Sequence, residues 1–434
     1  MESERFFKII RKIAEEMYLD YNVSKRSSVV RIREELYQTY YEVKPLELGA
    51  QDKPVVFVDA GFRVFETDIA TLLLVNVGAR IRSEDGNLLK VSEISDYPPI
   101  ETYFIYGRIV EESSSPEFKV EVIPADEDAL LLSPQVADEV SSKLTKLVNE
   151  RFGSGVPRGR ALRLFKRLVK YLEGLLEEAY AIRVGGLVTR STIKVVDGTL
   201  VRWFGLKQLR VFRFEGIDVL SLLTGLSRDA LVNELRSIYG LVKTTKFTSI
   251  ARARSIFKRH GSAGLGLYGV VTESSVRGAA EYLNKLLKSG EVSKETVEEA
   301  INVLVRVAHP LTGVWVAKFP ITTDGINVMY IEVHIDKPPL NLSTNIVEPD
   351  TRVARELHER VSDAVNNVVA YRSAIEGNPP YGFMEVDRDV RLETRQALRV
   401  EDAIVLAIRD VAGELGHPLE LVFRGAWRMR LGYR

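Results

Sequence analysis

Segments with strand-like patterns and segments with helical patterns follow one another along the chain, and this order constrains the fold more than any other feature. Apolar residues recur at helical spacing over 3–20, and a second helix is expected over 27–41. The pattern then changes to β-branched and aromatic residues between turn signals, which predicts an antiparallel meander over 54–124. Long helices and further strands follow, so the sequence predicts an α/β protein whose mixed sheet is flanked by helices.

The later elements are predicted from the same two periodicities. Helices are expected over 134–152, 160–183, 216–240, 275–308, 350–375 and 383–412. Strands are expected over 191–205, 313–320, 327–335 and 419–425. The chain has 434 residues, 45% of them hydrophobic, which is enough for one elaborate domain or for two to three smaller ones. The amphipathic first helix is expected either to pack on its own domain or to dock a partner.

Composition excludes several kinds of site. The chain has no cysteine, so it forms neither disulfides nor thiolate metal sites, and a metal must use Asp, Glu, His or backbone oxygen. The formal net charge is zero, so the distribution of charge must reveal any nucleic-acid surface. Scarce Cys and Gln beside plentiful Glu, Lys and Arg favour a heat-adapted (thermophile) protein. Neither a targeting segment nor a run of about 18 apolar residues is visible, so we expect a soluble, cytoplasmic protein with no membrane contact.

Two strand-like segments each run into an aspartate followed by a small residue. They are "VVFVDAG", with Asp59, and "IKVVDGT", with Asp197. A single acid at the end of a strand is usually a turn or helix-capping residue, but neighbouring strands of one sheet would bring these two carboxylates together. Close carboxylates repel each other, and a divalent ion such as Mg²⁺ or Mn²⁺ relieves that repulsion. We therefore expect a metal site here, with the small residues leaving room for substrate.

Further acids are candidates for the remaining ligands. Glu173 and Glu177 lie one helical turn apart, so either could reach over the sheet as a third ligand, or both could line a solvated helix face. Glu385, Asp387 and Asp389 fall at the start of the last long helix, where the helix dipole also favours acids. The residues alone leave these alternatives open.

The segment 239–272 contains no acid and is rich in basic residues. Aromatic side chains are interleaved with the basic ones, a combination that suits a phosphate backbone and stacking on unpaired bases; a solvated basic loop is the alternative. The C-terminal "VFRGAWRMRLGYR" is also basic and free of acids. The residues that we expect to bind nucleic acid are Lys243, Lys246, Phe247, Arg252, Arg254, Lys258 and Arg259.

Other familiar chemistries lack their sequence patterns. The chain has no G-x-x-x-x-G-K-[ST], so it is not a P-loop ATPase. "GLGLYG" at 264–269 matches G-x-G-x-x-G, but no strand pattern precedes it and no helix pattern follows, which argues against a dinucleotide site. The five histidines form no H-x-x-x-H pair and no G-x-S-x-G elbow is present, so a nucleophilic triad is unsupported.

Together these segments resemble the NurA family of archaeal and bacterial nucleases, whose core has an RNase H-like fold. The resemblance covers residues 50–392 and is carried by short motifs. "VVFVDAGFRVFE" is similar to the family's strand-Asp-Gly-Ser motif, with Ala60 in place of glycine, and "KVVDGTLVRW" is a better match to the second Asp motif. "YGLVKTTKF" is similar to a segment whose lysine, here Lys243, lies near the phosphate, and "MYIEVHID" to a strand that carries a glutamate, here Glu332. "GNPPYGFMEVDRDVRL" is similar to a Gly-Tyr-Pro segment, but Asp387 stands where the family has histidine.

The resemblance implies roles for the candidate acids. Asp59, Asp197 and a helical glutamate hold two metal ions, Mn²⁺ with Mg²⁺ as the alternative. Glu173 lies nearest the family's helical glutamate, with Glu177 one turn away, and Asp387 is the candidate for the terminal ligand. The catalytic set is then completed by a lysine, Lys243 in this chain.

The resemblance also implies an activity and partners. The activity is Mn²⁺-dependent cleavage of DNA, with 5′→3′ exonuclease and single-strand endonuclease action. The partners are DNA, a second copy in a homodimer, and the hexameric ATPase HerA, in end resection during recombinational repair. The nuclease domain would span 49–434, with an N-terminal helical extension over 1–48 and a helical insertion at about 206–310.

Two other functions stay open at this stage. The first is a nuclease-like scaffold that binds DNA and the motor without cutting, which the departures at Ala60 and Asp387 would allow. The second is an RNA-processing nuclease of the same fold.

Overall fold

A computed structural model of the chain describes the following residues: 2–24, 28–46, 52–66, 70–110, 117–152, 158–189, 191–201, 215–244, 247–258, 266–309, 314–323, 327–370, 379–391, 394–414 and 416. Contacts group the chain into two compact units that do not follow chain order. The first unit contains Met1–Gly49, Leu241–Val307 and Trp315–Gly377, and the second contains Ala50–Gly240, Ala308–Val314 and Asn378–Arg434.

Helices and strands alternate throughout the described residues. The helices are α1 (Glu2–Ser24), α2 (Ser28–Tyr40), α3 (Pro134–Phe152), α4 (Arg158–Val188), α5 (Glu215–Thr224), α6 (Arg228–Arg236), α7 (Phe247–Phe257), α8 (Glu273–Ser289), α9 (Lys294–Leu304), α10 (Thr351–Ala364), α11 (Phe383–Val390) and α12 (Thr394–Glu414). The strands are β1 (Glu42–Pro45), β2 (Val55–Glu66), β3 (Ala70–Arg82), β4 (Leu88–Lys90), β5 (Ile100–Val110), β6 (Glu117–Pro124), β7 (Ile193–Asp197), β8 (Ile238–Lys243), β9 (Leu267–Val270), β10 (Val305–His309), β11 (Val314–Thr322), β12 (Val328–Ile335), β13 (Leu340–Ser343) and β14 (Ile346–Pro349).

The second unit is built on a mixed sheet with helices on both faces. Its strands lie in the order β7-β2-β3-β5-β6, where β2 and β7 are parallel and the other neighbours are antiparallel. On one face, the ring of Phe165 in α4 fills the space beside Gly107 of β5. On the other face, Val390 of α11 lies against Gly78 of β3, and α12 packs on the apolar side chains Phe65 and Leu74. The predicted α/β fold, a mixed sheet flanked by helices, is confirmed.

The first unit has its own strands and helices. Its strands follow the order β1-β9-β11-β12-β8, and β13 and β14 form a separate hairpin. β11 and β12 pair in antiparallel register from Trp315 with Ile335 to Thr322 with Val328. α8 begins at a cap in which the Thr272 hydroxyl accepts a hydrogen bond from the Ser275 N–H, so the helix start is fixed locally.

Several predicted boundaries differ from the structure. Asp59 does not end its strand, because β2 has 12 residues in total, continues to Glu66 and pairs with β3 along its whole length. The segment predicted as one helix over 383–412 is two helices, α11 and α12, and the helical segment over 216–240 ends in strand β8. The strand predicted over 191–205 already ends at Asp197. The strand predicted over 419–425 lies outside the described residues.

The described helices include none that is both long enough and apolar enough to cross a membrane. This finding covers α4, the longest of them, whose 31 residues include many charged side chains.

A buried glutamate fixes the segment between β6 and α3 to the sheet. The side chain of Glu101 is 0% exposed, and its carboxylate accepts hydrogen bonds from the Leu130 N–H (2.6 Å), the Leu131 N–H (3.4 Å) and the Tyr103 hydroxyl. Burial raises the pKa of this carboxyl group, while the three donors lower it. The group is buried and fully engaged, so its loss would leave buried donors without an acceptor.

We therefore expect Glu101→Ala to lower the free energy of unfolding by about 2 kcal/mol, measured by urea denaturation. Glu121→Ala is the control, because Glu121 on β6 is partly exposed and pairs with Lys119, and loss of such a pair costs little. Equal unfolding midpoints for the two variants would contradict this role of Glu101.

Candidate active site

The register of two parallel strands brings Asp59 and Asp197 side by side. β2 and β7 pair from Val55 with Ile193 to Val58 with Val196, and the two aspartates directly follow the last pair. Residues at the same level of neighbouring strands point to the same face of a sheet. The two carboxylates therefore share one face, although β7 ends there and β2 continues. The side chain of Asp59 is only 4% exposed.

Helix α11 adds a third aspartate on that face. The ring of Phe383 makes an edge-to-face contact with Phe57, with 6.2 Å between the ring centroids, and Val390 lies over Gly78. Asp387 follows Phe383 by four residues and precedes Val390 by three, so the three side chains share one side of the helix. This side faces the sheet face that carries Phe57 and Asp59.

Gly61 permits the close approach of α11. A Cβ atom at residue 61 would lie 2.7 Å from the carbonyl oxygen of Val390, so any other residue would displace the end of the helix. We expected the small residues after Asp59 to leave room for substrate. At Gly61 that room is instead filled by α11, which carries Asp387.

The other two acids of α11 stabilise the helix and its contact with the sheet. Glu385 accepts a hydrogen bond from the Gly382 N–H (2.8 Å) and so closes the first turn. Asp389 accepts from Arg80 Nε on β3 at 2.6 Å. Asp387 is thus the acid of α11 that is available to the site; its Oδ2 lies 2.5 Å from the guanidinium of Arg391, a largely exposed side chain.

The electrostatics of the site follow from burial and like charge. Burial and the neighbouring Asp197 raise the pKa of Asp59 to about 8; Asp387 and Glu173 raise it further, and the Ala60 N–H, which donates to Asp59 Oδ1 at 2.8 Å, lowers it. Burial, followed by Asp387, raises the pKa of Asp197 to about 6. The pKa values of Asp59 and Asp197 are raised by burial and by neighbouring acids. The ionised site therefore carries excess negative charge.

Glu173 and Glu177 come from the opposite face of the sheet. α4 meets the sheet at Gly107 and at Lys194, which both point away from the Asp59 face. Glu173 is half-buried and its charge still contributes to the raised pKa of Asp59, though less than that of Asp387. Glu177 is buried and is absent from the groups that shift the pKa of Asp59. On these grounds Glu173 is the better candidate of the two.

Seven residues were predicted to bind nucleic acid, and those that the structure describes belong to the first unit. Lys243 is exposed at the end of β8, and Arg252 on α7 is half-buried. Burial raises the pKa of the Tyr37 and Tyr330 hydroxyls, and the charge of Arg252 opposes this rise. Arg254 and Lys258 are exposed. The residues outside the described part of the chain are Lys246, Arg259 and the side chain of Phe247.

Glu332 also belongs to the first unit. It is buried on β12, and its Oε1 lies 3.7 Å from Lys318 Nζ. Its partner is therefore a lysine of the neighbouring strand β11, in contrast to the acids that surround Asp59.

The three aspartates fit a hard divalent ion in their chemistry but do not form a finished site. Among the residues that the structure describes, no group of three Asp, Glu or His side chains is close enough to hold one ion. All the donors are carboxylate oxygens, as Mn²⁺ and Mg²⁺ prefer. Burial first, and neighbouring carboxylates second, raise the pKa of Asp59 and Asp197, and a bound cation would offset the like-charge contribution. The residues that would hold such an ion are Asp59, Asp197 and Asp387, and Glu173 on the opposite face of the sheet is the nearest further candidate.

The sequence patterns did not identify the residues that place α11. Arg80 and Arg82 on β3 both point to the α11 face; Arg82 is fully buried and donates from Nη1 to the Tyr381 carbonyl at 3.0 Å. A signal was present in the sequence, since two arginines alternate at the end of a largely apolar strand. Buried charges in such a strand call for partners, and α11 provides them.

Comparison with known proteins gives structural matches only. No family model matches the chain, and no curated protein matches its sequence. The crystal structure of the NurA nuclease from Sulfolobus solfataricus matches with 12% identity and a TM-score of 0.41 over 93% of this chain and 97% of that one. NurA bound to dAMP and manganese matches with 10% identity and a TM-score of 0.38, and NurA with manganese with 10% and 0.36.

These TM-scores lie below 0.5, so residue roles in this chain rest on its own geometry. In both manganese-containing structures, too, the matched region covers 93% of this chain. The chain matches NurA structures over about 93% of its length.

Proposed function

We propose that this chain is a metal-dependent nuclease that cleaves DNA. The observation that carries the proposal is the meeting of Asp59, Asp197 and Asp387 on one face of the sheet, brought together by strand register and by the docking of α11. Structural roles rarely gather several acids on one face of a sheet and raise the pKa of two of them, whereas phosphodiester hydrolysis commonly uses such a group.

The protein's own carboxylates would act mainly by holding divalent ions in fixed positions. Divalent ions, when bound, supply an activated water and stabilise the leaving oxygen. Asp59 and Asp197 would hold them from two rigid neighbouring strands, and Asp387 would approach from α11. Because β2 and β7 fix the first two carboxylates, little reorganisation is needed at that side of the site.

The substrate would be recognised by its charge. Lys243 is exposed and bears a positive charge that can offset charge developing on a phosphate. The basic residues of α7, including Arg252 and Arg254, would bind the backbone of the strand without reading its sequence. The neutral chain would thus bind a polyanion through one local basic segment.

Finer properties are proposed from the sequence resemblance. They are a preference for Mn²⁺ over Mg²⁺ in a two-metal site, 5′→3′ exonuclease and single-strand endonuclease action, a homodimer, and work with a HerA-type hexameric ATPase in end resection and recombinational repair. The chain itself contains no P-loop, which fits a motor supplied by a separate protein.

A parallel assay of DNA and RNA tests this function. Purified protein is incubated with end-labelled single-stranded DNA or RNA of the same sequence, with Mn²⁺, with Mg²⁺ or with EDTA. We expect degradation of DNA with Mn²⁺ and none with EDTA. Preferential loss of RNA would identify an RNA-processing nuclease instead.

A DNA-binding scaffold without activity is the second candidate. Two features favour it: no complete ligand group is present among the described residues, and Asp387 pairs with Arg391. Retention of labelled DNA without digestion, at every protein and Mn²⁺ concentration, would support the scaffold over the nuclease.

Metal binding should be visible in stability as well as in activity. We expect Mn²⁺ at 100 times its Kd to stabilise the wild type by about 2.7 kcal/mol, because the ion binds only the folded site. Asp59→Asn should lose this effect, while Asp138→Asn, which changes an exposed acid of α3, should keep it. Equal stabilisation of wild type and Asp59→Asn in thermal unfolding would place the metal elsewhere.

A further inference from the structure

A short helix carries Asp387, and its contacts with β2 and β3 set its position. α11 has eight residues, which is too short for a helix to be stable by itself in water. Its position therefore depends on β2 and β3. We infer that Arg80 of β3 is a positioning residue, which holds Asp387 beside the two sheet aspartates through its ion pair with Asp389. The inference rests on the proposed metal-dependent activity.

The ion pair has the geometry of a strong contact. Asp389 Oδ2 lies 2.6 Å from Arg80 Nε and 2.5 Å from Arg80 Nη2. The two side chains are 12% and 24% exposed, so water screens the pair less than it screens a surface pair. Asp389 is two residues beyond Asp387 on α11, so the pair acts next to the candidate ligand.

Contacts at Gly61 and Asn76 complete the attachment of this end of the helix. The Val390 carbonyl accepts a hydrogen bond from Asn76 Nδ2 at 3.3 Å, and the same carbonyl oxygen occupies the space where a side chain at residue 61 would begin. The end of α11 is thereby fixed from three directions: by Arg80, by Asn76 and by the surface of Gly61.

The two arginines of β3 make contacts at opposite ends of α11. Arg82 donates to the Tyr381 carbonyl and lies over the ring of Phe57, 5.2 Å from its centroid, so it acts before the start of α11. Arg80 acts in the last turn, close to Asp387. Loss of Arg80 should therefore misplace the carboxylate while the start of the helix stays docked.

The test is direct titration of the full-length protein with Mn²⁺, followed by electron paramagnetic resonance of the free ion. The variants are Arg80→Ala, Asp389→Ala and the charge exchange R80D/D389R. Gly61→Ala provides an independent way to displace α11. Arg108→Ala is the matched control, because it removes an arginine–glutamate pair of the same sheet, with Glu121 (3.3 Å), away from α11.

We expect Arg80→Ala and Asp389→Ala each to weaken Mn²⁺ binding about 10-fold, the charge exchange to restore most of the affinity, and Gly61→Ala to weaken it as well. Arg108→Ala should bind as the wild type does. A merely structural role would lower thermal stability in these variants without a selective change in Mn²⁺ affinity.

Two results would overturn the inference. One is wild-type Mn²⁺ affinity in Arg80→Ala and Gly61→Ala; the other is an affinity that the charge exchange fails to restore although the variant is folded by circular dichroism. A wild type that binds Mn²⁺ but cleaves no DNA would refute the proposed function, and the Mn²⁺ affinities would still decide the role of Arg80.

Discussion

Replacement of Asp59 or Asp197 by asparagine is expected to reduce cleavage of single-stranded DNA by about 1,000-fold or more. Asparagine keeps the shape of the side chain but removes the charge that would hold a divalent ion. Both aspartates lie at the same level of neighbouring strands, so neither can take over the position of the other. Initial rates on a 5′-labelled oligonucleotide with Mn²⁺ measure the effect.

The matched control for these variants is Asp138→Asn, which makes the same chemical change at an exposed position of α3. It should cleave at the wild-type rate. If Asp59→Asn or Asp197→Asn retained more than about a tenth of the wild-type rate, these residues would not be the metal ligands.

Asp59→Asn is also expected to stabilise the metal-free protein, by about 3 to 6 kcal/mol at pH 9. The pKa of Asp59 in the folded protein, about 8, lies above the ordinary value of 3.8, so ionisation costs more in the folded state than in the unfolded one. The wild type should therefore lose stability as the pH rises from about 4 to about 8, and the loss should level off above that range. Asparagine does not ionise, so the variant is spared this loss.

Urea denaturation in EDTA at pH 4, 6, 8 and 9 measures the difference. The two proteins should be similar at pH 4 and should diverge up to pH 8 and slightly beyond. Asp197→Asn should show the same trend over a narrower range, since the pKa of Asp197 is about 6. An Asp59→Asn variant less stable than the wild type at pH 9 would contradict the raised pKa. Gain of stability with loss of activity would also show that the variant is folded.

The sequence pattern was sufficient to predict that Asp59 and Asp197 lie on neighbouring strands. It was not sufficient to predict where the strand of Asp59 ends. Two apolar runs that each lead into an acid imply neighbouring strands, and β2 and β7 are neighbours in the expected way. The same pattern implied that the strand ends at Asp59. It continues because Phe62, Val64 and Phe65 pair with β3, and that pairing depends on residues distant in sequence.

The choice among the helical acids could not be made from spacing. Glu385, Asp387 and Asp389 are all consistent with a helix start, and their roles separate only when the cap at Gly382 and the position of Arg80 are known. In the same way, which of Glu173 and Glu177 affects the pKa of Asp59 depends on how α4 crosses the sheet. A helix periodicity defines which residues share a face, but not which strand that face meets.

The most direct test of the central claim is the rate of single-stranded DNA cleavage as a function of Mn²⁺ concentration, for the wild type and for the double variant D59N/D197N. If Asp59 and Asp197 hold the ion, the rate should rise and saturate with Mn²⁺ in the wild type and stay at background in the double variant. A Mn²⁺-dependent rate that the double variant retains in full would contradict this role of the two aspartates.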